Sequence, residues 1–113
     1  MIFTLPLQAL SVNKAYRSGP RYKSKEYVAY EKELAYLLPR GNVLGPVKID
    51  YTFGLKYPLR SDVSNYIKIL EDCMVRCGKI SDDRNVWEIT ARKVKSAEPF
   101  IKVCIEKKEP SEE

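Results

Sequence analysis

Three aspartates and one lysine carry the chemical potential of this sequence: Asp62, Lys68, Asp82 and Asp83. The first two stand in the run Arg60-Ser61-Asp62-Val63-Ser64-Asn65-Tyr66-Ile67-Lys68-Ile69-Leu70-Glu71-Asp72, the others in Ser81-Asp82-Asp83. Histidine is absent. That removes imidazole acid–base catalysis, Ser-His-Asp nucleophile activation and every His-containing metal site. No glycine-rich phosphate loop of standard spacing is present. Chemistry must then rest on Asp, Glu, Lys, Arg, Tyr or Ser, and no organic cofactor is expected. Carboxylates are hard oxygen ligands, so a divalent hard cation is their natural helper. The three cysteines, Cys73, Cys77 and Cys104, are an odd count without a secretory start, which argues against a disulfide framework. Cys73 and Cys77 are one helical turn apart among Ile69, Leu70 and Met74, and read as small core residues.

The elements that must position these residues follow from hydrophobic period and turn chemistry. Ile2 to Leu10 reads as an irregular or edge strand because of Pro6. Residues 11–23 read as a loop. A first helix is expected from about Ser24, its N-cap, to Leu38, with Tyr27, Tyr30, Leu34, Leu37 and Leu38 on one face and Pro39 and Gly41 as stops. Val47 to Tyr57 alternates as a strand. A second helix begins after Asp62 and runs to about Cys77, closed by Gly78. Its apolar stripe is Val63, Tyr66, Ile67, Leu70, Cys73, Met74 and Cys77, which leaves Asn65, Lys68 and Asp72 together on the other side. Val86 to Val94 and Phe100 to Ile105 read as strands joined by the short turn Ser96–Pro99, hence as an antiparallel hairpin. The fold class is α/β (α+β): one domain over residues 1–113, a four-stranded mixed sheet with two helices in the order β-α-β-α-β-β, and a frayed tail at 106–113.

Composition sets the outer limits. A chain of 113 residues with 44% hydrophobic and 31% charged residues is one ordinary globular domain. No apolar run is long enough to span a bilayer, and a cytoplasmic location is expected. The net charge of +5 and eight tyrosines point toward nucleic acid. Lys14, Arg17, Arg21, Lys23 and Lys25 crowd one loop with no acid between them, with Tyr16 and Tyr22 interleaved. Such a strip suits phosphates, from which it would release counterions; the plainer reading is a solvated loop. The acids also have two readings. Asp62 is either a helix cap or a site residue, and Asp82-Asp83 is either an aspartate turn or the partner of Asp62 across a folded-back connection.

The set Asp62-Val63-Ser64-Asn65, Lys68, Glu71-Asp72, Gly78, Ile80 and Asp82-Asp83 resembles the RusA family of Holliday junction resolvases. Leu5-Pro6 and Ser11-x-Asn13-x-x-Tyr16-Arg17 are similar to its opening, and the likeness covers about residues 3–95. The resemblance implies a homodimeric, Mg²⁺-dependent endonuclease, with Mn²⁺ as a substitute, that cuts four-way junction DNA in the cytoplasm of a bacterial host or on behalf of a phage. Carried over by position, Asp62 and Asp83 are its catalytic, metal-holding aspartates and Lys68 its essential lysine. Asn65 is the motif asparagine. Asp82, Asp72 or a water would fill a place in the metal's shell, because Ser64 stands where the family pattern has a second aspartate. Hydrolysing a phosphodiester needs an attacking water and stabilised charge on the phosphate and leaving oxygen, which a carboxylate-held Mg²⁺ supplies. Asn13, Lys14, Arg17, Arg21, Lys23, Arg60 and Asn65 would then hold DNA. The alternative implied by Ser64 is a junction-binding module of the same fold with weakened or lost catalysis.

Overall fold

The computed structural model describes residues 1–16, 22–60 and 62–108. Four strands form one sheet: β1 (Ile2–Leu5), β2 (Val47–Leu55), β3 (Val86–Lys95) and β4 (Phe100–Lys107). Three helices accompany them: α1 (Val12–Ala15), α2 (Lys25–Leu37) and α3 (Val63–Arg76). The mixed α+β architecture is the one expected. α1 is an addition, a single helical turn within a stretch read as loop.

The sheet order is β1-β4-β2-β3. β4 runs antiparallel to both β1 and β2, whereas β2 and β3 are parallel. The expected hairpin between β3 and β4 is therefore wrong: β2 lies between them. The cause is α3. A helix that leaves the end of β2 and returns over one sheet face delivers the next strand parallel to β2. The short turn 96–99 then crosses the end of β2, where the Ser96 N–H donates to the Leu55 carbonyl at 2.9 Å. Apolar content decides which strand is central. Val47, Ile49, Tyr51 and Phe53 of β2 and Ile101, Val103 and Ile105 of β4 are fully buried. β3 contributes no fully buried residue and carries Lys93 and Lys95 beside Phe53 and Leu55, a composition suited to an edge.

The helices cover one face of this sheet. Ser24 caps α2 by accepting from the Tyr27 N–H at 3.1 Å, which aims Tyr27, Tyr30 and Leu34 into the core. α3 buries Tyr66, Ile69, Leu70, Cys73 and Met74. Gly78, at φ +76°, closes it in a left-handed conformation that a Cβ would strain. Tyr51 stacks on Phe53 at 5.7 Å, and Phe53 meets Tyr66 at 5.4 Å, so the middle of β2 is the seat of α3. Each fully buried large apolar side chain contributes about 1.5–3 kcal/mol of burial energy. The opposite face is open and polar, with the Asp50–Arg92 ion pair at 2.7 Å.

Two smaller expectations change. Cys73 is buried as expected, but Cys77 is exposed at the C-cap of α3. β4 continues to Lys107, paired with Val47, so residues 106 and 107 are strand rather than tail; residues 109–113 lie outside the described residues.

Gly54 pairs with Phe100 across β2 and β4, and a Cβ at Gly54 would come within 2.2 Å of the Phe100 ring. Gly54→Ala is expected to destabilise the fold by roughly 1–3 kcal/mol, read as a lowered urea midpoint with an unchanged slope. An unaltered midpoint would mean that the ring is free to leave.

Candidate functional site

The polar side of α3 assembles the site. Lys68 and Asp72 are one turn apart, and Lys68 Nζ lies 3.1 Å from Asp72 Oδ1. This hydrogen bond holds the Lys68 ammonium above its ordinary range, and the charge of Asp83 adds to the effect. Asp83 opens a 3-10 turn, Asp83–Asn85, that packs against α3. The connection folds back on the helix, and the charge of Asp83 is felt at Lys68.

Asp82 has a different task. It caps the same 3-10 turn, accepting from the Arg84 N–H at 2.9 Å and from the Arg84 guanidinium at 3.3 Å. The bond from the Arg84 backbone, with further help from the Asp83 and Arg84 side chains, pulls its carboxyl down to about 2. The aspartate-turn reading is correct for this residue, and the turn is what presents its neighbour Asp83, which stays exposed.

Asp62 is the N-cap residue of α3, but its side chain makes no capping hydrogen bond. Its carboxylate is therefore not engaged by its own helix. Asp62 and Asp83 bracket α3 in sequence, one before its first turn and the other after its last. Among the described residues, no three His, Cys, Asp or Glu side chains form a cluster able to enclose a metal ion.

Glu71 is the residue near the site whose environment the sequence did not disclose. It stands in the quoted pair Glu71-Asp72 without a role of its own, yet it is only 8% exposed. Burial drives its carboxyl up to about 7, and the charges of Asp83 and Asp72 push in the same direction. The neighbour that favours its ionised form most is the Tyr51 hydroxyl. That contact falls short of hydrogen-bond geometry, so the buried Tyr51 Oη has no partner. The missed signal was position: Glu71 is one residue past the buried Leu70 and one turn before the partly buried Val75, at the margin of the apolar stripe.

The predicted DNA-binding residues divide. Asn13, Lys14 and Arg60 line one cleft of about 570 Å³ together with Gln8, Lys56, Tyr57 and Tyr66. Among the described residues, the lining holds three cations and no acid. Arg60 lies over the Tyr57 ring at 4.3 Å, which fixes its guanidinium at the rim. Lys56, Tyr57 and Gln8 were not expected there. Lys23 instead pairs with Glu31 at 2.9 Å and covers the Tyr27 ring. Arg17 and Arg21 lie outside the described residues. Asn65 is half-buried on α3, one turn before Lys68.

The model of one protein family, endodeoxyribonuclease RusA, matches residues 8–106. That span runs from the segment after β1 to the penultimate residue of β4, and it contains every residue of the cleft and of the acidic group. No curated protein matches the chain.

The raised Glu71 carboxyl makes stability depend on pH. Between its unfolded value near 4.5 and its folded value of about 7, the native state holds a proton that the unfolded chain has released, so stability falls as pH rises through this window. In metal-free buffer, Glu71→Gln is expected to raise the melting temperature at pH 8 and leave it unchanged at pH 4. Equal changes at both pH values would show that the ionised carboxylate is not penalised in the fold.

Proposed function

The chain belongs to the RusA endodeoxyribonuclease family, and from that premise we propose that it resolves four-way DNA junctions by metal-dependent hydrolysis of paired phosphodiester bonds. The observation that carries this reading is the cleft whose described lining has Lys14, Lys56 and Arg60 as its charged residues, on a chain whose helix α3 sets Lys68 against Asp72 and within the field of Asp83.

The donor set fits a hydrated divalent cation. It consists of hard carboxylate oxygens, and Mg²⁺ needs only one or two of them because it keeps several waters. Asp83 and Asp62 are the acids proposed to hold it. Asp82 supports Asp83 through the turn that it caps. When bound, Mg²⁺ or Mn²⁺ supplies an activated water and a counter-charge for the phosphate and leaving oxygen. The protein's own share is positioning. Lys68, steered by Asp72, offers a fixed positive charge to the phosphoryl oxygens as negative charge builds on them. Asn13, Lys14, Lys56 and Arg60 grip the backbone of the incoming strand. Asn65 contacts the strand between grip and acids.

Cutting two opposed strands requires two such sites. A two-fold homodimer supplies them, and a four-way junction has matching approximate symmetry. No described helix is long and apolar enough to cross a membrane. The reading places the enzyme in the cytoplasm of a bacterial cell, encoded by host or phage.

Ser64 favours a second reading. It is exposed on the first turn of α3, and it offers a hydroxyl where the family pattern has a carboxylate. In that case the chain binds junctions without cutting them.

A synthetic four-way junction and a linear duplex, each with and without Mg²⁺, separate the two. Symmetric nicking of the junction alone, lost in Asp83→Asn with binding retained, is the expected outcome. Tight junction binding with no cutting in either metal favours the second reading, and cutting by Asp62→Asn and Asp83→Asn at the original rate overturns the site. Replacing both Lys56 and Arg60 by Ala is expected to weaken binding to every DNA alike. It should reduce the slope of log affinity against log salt by roughly 2.

A further inference from the structure

We propose that Leu59 is an apolar wedge that enters the base stack of DNA held in the cleft, at the point where a branch interrupts the stacking. The inference rests on the junction-binding reading above and adds to it a means of telling a junction from a duplex.

Three observations carry it. First, Leu59 is the most exposed large apolar side chain among the described residues, at 97%, and Tyr57 two residues before it is also exposed. A single exposed leucine is ordinary; the setting of this one gives it a use. Second, Leu59 stands at the tip of a braced turn. The Arg60 N–H closes the turn on the Tyr57 carbonyl at 3.3 Å. Pro58 fixes the backbone torsion at the second position of the turn. Lys93 of β3 donates to the Pro58 carbonyl at 2.6 Å. The side chain is therefore presented from a tethered backbone, which reduces the entropy lost when it is inserted. Third, the turn is set among phosphate-binding charge. Tyr57 and Arg60, its two ends, both line the cationic cleft, and Lys56 precedes them there. The Tyr57 ring lies between the two cations, 4.3 Å from the Arg60 guanidinium and 5.9 Å from the Lys56 ammonium. A DNA backbone gripped by Lys56 and Arg60 runs within reach of the leucine that stands between them in sequence.

Apolar side chains pushed between base pairs unstack them and kink the helix. In continuous duplex the insertion has to break stacking. At a four-way branch point the stack is already interrupted, so the same insertion costs less and takes the Leu59 methyl groups out of water. An aliphatic chain makes no hydrogen bond to a base edge. The selection is then by structure and not by sequence, while the cations of the cleft hold any DNA alike.

The test reads stacking, not cutting. A four-way junction carries 2-aminopurine, which brightens when unstacked, beside the branch point; a linear duplex carries it in the same sequence. Both are titrated with the full chain in chelator, and binding is followed by the anisotropy of a dye on a distant arm. The unaltered chain is expected to brighten the junction probe and leave the duplex probe dim. Leu59→Ala should abolish the brightening and weaken junction binding roughly tenfold, the loss of one buried leucine side chain, while duplex affinity is kept. Leu59→Phe, which restores an apolar wedge, should recover both. The urea midpoint should be the same in all three chains, since a fully exposed side chain supports no packing. Brightening undiminished in Leu59→Ala, or absent with the unaltered chain, would overturn the wedge and leave the nuclease reading standing. Equal loss of junction and duplex affinity would overturn it too, by reducing Leu59 to a general contact. No binding of the junction by the unaltered chain would overturn both the wedge and the reading beneath it.

Discussion

The parallel pairing of β2 with β3 is the constraint on which the rest of the structure depends. Parallel neighbours cannot be joined by a tight turn, so the chain between them must cross over the sheet as α3. The crossing seats Tyr66 on Phe53. That contact fixes the rotation of α3 about its axis, and the rotation decides which residues face solvent. Lys68 and Asp72 face outward because Ile69, Leu70 and Cys73 face inward. The same crossover brings the start of β3 back to the helix, and the 3-10 turn there carries Asp83 against α3. One backbone topology thus converts distant sequence positions into a single polar surface.

Charge is distributed along α3 with a purpose that packing alone would not require. Before its first turn lies Arg60, over the Tyr57 ring, on the rim of the cationic cleft. Its middle and far flank hold Lys68, Glu71 and Asp72, with Asp83 opposite. A polyanion drawn into the cleft would be repelled by these acids unless a cation stood among them. On the proposed reading, electrostatic recognition of DNA and the use of a divalent ion would be coupled through the same helix. The burial of Glu71 costs stability at neutral pH, where its carboxyl has to ionise in a half-apolar environment.

Much of this was legible in the residues. The helix bounds, the sheet composition and the grouping of Asn65, Lys68 and Asp72 all follow from period and caps. The motif residues Asp62, Lys68 and Asp83 could be named because their types and spacing carry chemical meaning in one dimension. What could not be read was whatever depends on a choice between packings of similar local quality. Ser96–Pro99 has the length of a hairpin turn, and only the competition for the centre of the sheet sends β4 past β2 instead of back along β3. The burial of Glu71 could not be read, because an exposed and a buried glutamate are spelled alike; its polar neighbour Tyr51 stands twenty residues earlier. Lys56 and Tyr57 follow the end of a strand and enter the cleft only because the chain bends there toward α3. Asp82 and Asp83 were equivalent in sequence, and the 3-10 turn separates their roles.

The place of β4 in the sheet has a consequence for how the molecule comes into being. It is the last strand to be synthesised, yet it sits between the first strand and β2. Until residues 100–107 have left the ribosome, β1 has no neighbour to pair with and one flank of β2 lies bare. The sheet therefore assembles through contacts between segments far apart in the chain, which makes for slow folding. Meanwhile Val47, Ile49, Tyr51 and Phe53 wait uncovered, and a nascent chain in this condition is a natural client for chaperones.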